Sequence, residues 1–181
     1  MPIQHLPCGK DTMSVCSGAL HDMFGCTELH GEFSIPAFVV SLDQCSGDGC
    51  KKAMITSVGY KFVAYDSNGK TTICDVDQTG EALETGCVAM GTQADLWMDL
   101  VANLGQYAET ERGDYEVRML SVPGLLVDAI WLHSDSDDEM DLVIPVGPLD
   151  EQLQKEPLFD MDTFLDIIRD LSAERLRHSD I

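Results

Sequence analysis

Positive charge is what this chain has least of. Of 181 residues, 11 are Lys or Arg and 32 are Asp or Glu, a formal net charge of −21. Phosphate recognition needs clustered cations, so the deficit disfavours direct binding to nucleic acid or to an anionic membrane and favours basic proteins or metal cations. Long apolar runs are missing too. The longest, Val122 to Leu132, is interrupted by Pro123, Gly124 and Asp128 and has about half the length that a membrane-crossing helix needs. The segment Met1 to Lys10 has no basic start followed by an apolar run, which sets the expectation of a cytoplasmic protein. There is no glycine-rich phosphate cradle, no Gly-x-Ser-x-Gly elbow and no His-Glu-x-x-His pair, so the well-specified catalytic motifs are absent.

What remains is the composition of a folding chain: 44% hydrophobic and 24% charged. A chain of this length buries roughly two-thirds of its unfolded surface and needs no metal or disulfide staple to make a core. One domain over residues 1–181 is expected, with a Cys/His-richer subregion at 1–31 ahead of a main body at 32–181. Helical spacing of Met13, Cys16, Leu20, Met23 and Phe24 after the cap candidates Asp11 and Thr12 predicts a first helix. Strands follow at Phe33 to Leu42 and Ala53 to Tyr65. The latter returns through Asn68-Gly69, a strong hairpin signal because both residues tolerate positive φ, into Lys70 to Val76. A glycine-rich connection leads to Thr92, where a second helix starts with Trp97, Leu100, Val101, Leu104 and Ala108 on its apolar side.

Tyr115 to Val122, Leu125 to His133 and Leu142 to Val146 read as further strands, the last two joined by the acidic loop SDSDDEMD. Asp160 or Asp162 opens a final helix carrying Phe164, Leu165, Ile168, Leu171 and Leu176. The order is roughly αβββαββα. It predicts an α+β fold with a mainly antiparallel sheet of about five strands, in two hairpins, packed against two or three helices.

Four groups of residues bear on chemistry. The first 30 residues hold three of the seven Cys and three of the five His. Cys16, His21 and Cys26 have the Cys-x4-His-x4-Cys spacing of the latter part of a zinc knuckle, although Met13 stands where a further Cys would be wanted. Cys8, Cys16, Cys26 and His30 are accordingly the zinc candidates. Cys45 and Cys50 flank Ser-Gly-Asp-Gly, with Cys74 and Cys87 farther on. Reduced thiols are expected for a cytoplasmic chain, and a hairpin-closing disulfide is the alternative. Asp135, Asp137 and Glu139, with Asp138 and Asp141, make a dense carboxylate loop that is either a calcium candidate or a solvated hairpin tip.

The fourth group, TTICDVDQTG at 71–80, resembles the first motif of haloacid-dehalogenase-type phosphatases. That resemblance implies Asp75 as nucleophile and Asp77 as acid and base. Here the segment ends the return strand of a hairpin, and no lysine motif follows. The same aspartates resemble the start of an EF-hand loop, with Gly86 at the position of its bidentate Glu. Asp128 and His133, five apart, fall on opposite faces of a regular strand and do not form a dyad.

The functional expectation is a non-catalytic acidic domain that binds another protein, for which its charge favours a basic one, or its own copies. A small metal-dependent enzyme or redox sensor using the Cys/His segment or an acidic loop, with zinc or calcium, is the alternative. A decoy for a nucleic-acid-binding protein is the third.

Overall fold

The computed structural model describes residues 14, 17, 18, 21, 29–45, 50–66, 71–79, 82–90, 92–107, 115–134, 141–147 and 150–179. In chain order they form β1 (Leu29–Val39), α1 (Leu42–Cys45), β2 (Thr56–Asp66), β3 (Thr71–Thr79), β4 (Ala82–Met90), α2 (Thr92–Ala102), β5 (Glu116–Val122), β6 (Val127–His133), β7 (Leu142–Val146), β8 (Phe159–Asp160) and α3 (Met161–Ser179). Single 3-10 turns occupy Lys52–Met54, Leu104–Gln106 and Pro123–Leu125. The fold is α+β. The predicted first helix falls mostly outside the described residues, of which Ser14, Ser17, Gly18 and His21 are helical. No helix among the described residues is long and apolar enough to cross a membrane.

The described residues divide into two compact units, one from within 37–57 and 113–181, the other from within 4–36 and 58–112. In the second unit β2, β3 and β4 form an antiparallel meander. Lys61 lies directly opposite Asp75 and pairs with it. β4 is a strand that the sequence pattern does not predict: its ALETGCVAM carries Glu84 and Gly86, and it forms against the ladder that β3 offers. On α2, Ala94, Trp97 and Val101 are buried while Asp95 and Asp99 are exposed, as its apolar spacing requires.

In the first unit, β5 to β8 are successive antiparallel neighbours. The last residues of β1 run parallel to β5, with Ala37 opposite Met119 and Val39 opposite Ser121. The sheet is therefore mixed, where a mainly antiparallel sheet of about five strands is expected from the sequence. The parallel pairing joins segments some 80 positions apart, which no local pattern reveals. The long strand expected from Ala53 also shortens, because Lys52–Met54 coil into a 3-10 turn before β2. Pro145 lies inside β7 opposite Ala129. β8 pairs only with Leu142 and Val143, so a residue without an N–H is tolerated on that edge.

One core fills the space between this sheet and α3. Leu120, Val122, Val127, Ala129, Trp131 and Val143 meet Phe164, Leu165, Ile168 and Leu171, each large side chain contributing about 1.5–3 kcal/mol by leaving water. α3 starts where the carboxylate of Asp160 accepts from the Thr163 amide at 2.9 Å and from its hydroxyl at 2.7 Å. This is an N-cap that satisfies one of the four orphan amides of a first turn. The opposite side of α3 exposes Asp162, Asp166, Asp170 and Glu174.

Candidate functional site

Two features of the first unit stand out physically, one buried and one exposed. The buried one follows from the β6–β7 register. Leu132 pairs with Leu142, so the next position places His133 across from Asp141 on the same face, the face that also carries Trp131. The Asp141 side chain is fully buried, with 0% exposure. Its Oδ1 accepts from the Ser134 amide at 2.9 Å and from His133 Nδ1 at 3.1 Å, and its Oδ2 accepts from Trp131 Nε1 at 2.8 Å. The ammonium of Lys52 lies 2.7 Å from Oδ2.

Burial alone would raise the Asp141 carboxyl. Hydrogen bonds from Lys52, Ser134, His133 and Trp131 outweigh it and hold the group below its ordinary 3.8. Around this carboxylate, the Trp131 ring packs edge-on to Phe38 and to His133, and Arg118 stacks 4.8 Å from the Trp131 ring and 5.1 Å from Phe38. Arg118 is itself paired with Glu116.

Chemically, an imidazole held by a buried carboxylate is the geometry of an acid–base pair. In such a pair the imidazole moves the proton and the carboxylate orients it. Here both carboxylate oxygens are saturated by converging donors, and the contacts of Asp141 tie β6, β7 and the Lys52–Met54 turn together. The network is a polar clamp within the core.

The exposed feature is a cleft of about 390 Å³ lined by Gly124, Leu125, Leu126 and Val127 at the turn joining β5 to β6, by Asp150, and by Leu171, Glu174 and Arg175 of α3. The turn begins with Pro123, whose fixed φ suits a 3-10 start. Gly124 follows because a Cβ there would overlap the side chain of Leu42. The turn closes on Leu126, whose amide bonds to the Pro123 carbonyl at 3.1 Å and whose φ and ψ are 56° and 35°. That left-handed position normally belongs to glycine or asparagine. Leu126 is also 84% exposed.

Comparison with known protein families, with curated proteins and with solved structures finds no match to this chain. The site therefore stands on its own geometry.

Of the residues singled out from the sequence, Cys8, Cys16, Cys26, Asp135, Asp137 and Glu139 lie outside the described residues, and His30 falls in β1 with its side chain outside them. Among the described residues no three His, Cys, Asp or Glu side chains gather to hold a metal ion. Cys45 and Cys50 are joined as a disulfide, which corrects the expectation of reduced thiols at these two positions. α1 ends at Cys45, and Cys50 lies beside it within the core.

Asp75 stands on an antiparallel strand, paired with Lys61, rather than at the end of the parallel strand that the phosphatase resemblance implies. Asp128 and His133 do occupy opposite faces: Asp128 accepts from Ser121 Oγ at 2.6 Å, whereas His133 meets Asp141. Asp141 itself is corrected, since it is the one described carboxylate of the acidic loop and is buried rather than solvated. A signal for it was present. Pairing the apolar runs ending at Leu132 and starting at Leu142 brings the two flanking polar residues into register.

Proposed function

We propose that this chain is a non-catalytic acidic binding domain that works by docking onto another protein or onto its own copies. The observation that carries the reading is Leu126. A leucine in the left-handed region costs the fold about 1–2 kcal/mol relative to an ordinary backbone conformation, and at 84% exposure it recovers almost nothing by burial. Asparagine or glycine would close the same turn more cheaply. A residue that burdens the fold and projects beside an apolar cleft is explained by something that covers it.

The test is light scattering across a concentration series, together with titration against added basic and acidic polypeptides, on the wild type and on Leu126→Asn. Association beyond the 19.9 kDa chain mass, or binding of a polypeptide, that weakens at least about tenfold in the variant supports the proposal. A wild-type chain that stays at its monomer mass and binds neither polypeptide refutes it.

A further inference from the structure

Resting on that reading, we infer that the cleft beside α3 takes one particular kind of occupant: a basic segment of a partner protein that inserts an apolar side chain next to Leu126. The apolar half of the argument is the lining. Leu125, Leu126, Val127 and Leu171 are its apolar lining, and Leu126 is one of only two large hydrophobic side chains exposed among the described residues. The other, Leu96, lies on α2, in the second unit. Leu126 stands alone at a rigid turn, fixed by Pro123 on one side and by the contact of Gly124 with Leu42 on the other. An anchor held this way loses little conformational entropy when a partner covers it.

The charged half selects the occupant. Asp150 and Glu174 stand on the rim against the single cation Arg175. One turn of α3 before Glu174 comes Asp170, and Asp166 and Asp162 follow at successive turns on the exposed side, where Arg169 pairs with Asp166 and Asp170 and offsets part of their charge. Glu151 and Glu156, with Lys155 between them, are exposed close to Asp150 in the chain. A second copy would bring the same carboxylates and another 21 negative charges to the contact, so like-charge repulsion opposes self-docking here. A Lys/Arg-bearing segment meets complementary potential, which speeds encounter and rejects acidic competitors. A helix in a groove, with apolar anchors at i, i+3, i+4 and i+7 and basic residues beside them, has the matching pattern.

The probe is a labelled peptide of about 18 residues carrying Leu anchors at that spacing and Lys and Arg elsewhere, followed by fluorescence anisotropy with the full chain. A peptide with Glu replacing Lys and Arg serves as control. The basic peptide should bind, and its affinity should fall at least about tenfold for Leu126→Asn and for the double variant Asp150→Lys and Glu174→Lys. Raising salt from about 50 to about 300 mM should weaken the wild type more than the double variant. Asp99→Lys, on the exposed side of α2, should leave binding unchanged.

Equal affinity in all variants overturns this site while leaving an acidic binding domain standing. Preference for the acidic peptide, or self-association without peptide binding, overturns the basic occupant alone. No binding of either peptide together with a monomeric chain overturns both the occupant and the broader reading.

Discussion

Replacing Asp141 with asparagine exchanges one oxygen for a nitrogen, yet it should be among the most damaging substitutions this chain can take. The carboxylate presents one oxygen to the Ser134 amide and His133 and the other to Trp131 and Lys52. Whichever way an asparagine amide is turned, its NH2 faces donors and can accept from none. The Lys52 ammonium loses its counter-charge at the same time. Breaking a buried ion pair by removing one partner costs about 3–5 kcal/mol, and two hydrogen bonds to an ionised acceptor, at about 1.5–3 kcal/mol each, give the same range.

The effect carries a pH signature. Because the folded carboxyl titrates below its ordinary 3.8, folding favours the ionised form. Its contribution is complete above the unfolded value and is lost as pH falls through the folded one. Urea unfolding followed by Trp131 fluorescence, in a Trp97→Phe background so that one of the two tryptophans reports, should show a gap of at least about 3 kcal/mol at pH 7 between aspartate and asparagine. That gap should narrow below about pH 4 as the aspartate protonates. A gap under about 1 kcal/mol at pH 7, or one that does not change on acidification, would refute the account of Asp141 as a charged clamp.

Four further outcomes follow from the same packing. Leu126→Asn should leave stability unchanged or raise it by up to about 1–2 kcal/mol, seen as a thermal midpoint level with or a few degrees above wild type; a drop would mean that the leucine packs within the fold. Gly124→Ala forces a Cβ into Leu42 and should cost about 1–3 kcal/mol in denaturant unfolding, relieved in part by the double variant with Leu42→Ala. Asp160→Ala removes the N-cap of α3 and should cost about 1 kcal/mol, while Asp160→Ser, which caps equally well, should restore most of it. Cys45→Ala with Cys50→Ala opens a loop with a sequence separation of 5 and should cost about 2 kcal/mol by chain entropy. Reductant should bring the wild type to the variant's urea midpoint and leave the variant where it was.

Local pattern was enough for much of this molecule. The two β-like runs on either side of Asn68-Gly69 read as neighbouring strands, and β2 and β3 do pair antiparallel, while Asn68 and Gly69 themselves lie outside the described residues. The spacing of Trp97 and Val101, and of Phe164, Leu165, Ile168 and Leu171, specified which sides of α2 and α3 are buried, because a 3.6-residue period leaves one stripe for the core. The carboxylate excess specified the electrostatic character of any surface. None of these needs a distant partner.

The rest was decided by pairing across the chain. β4 is a strand because β3 is beside it, and the parallel contact of β1 with β5 depends on residues brought together only by folding. Asp141, one acidic residue among several in its loop, becomes a buried acceptor because strand register carries it opposite His133 and the Lys52 turn closes over it. Leu126 is an ordinary apolar residue in sequence, within a stretch that periodicity assigns to strand. Only the tertiary contact of Gly124 with Leu42, and the turn that contact fixes, leaves Leu126 in the left-handed region facing solvent. Burial and backbone conformation at single positions are set by such long-range contacts, which act between segments and so leave no period in the sequence.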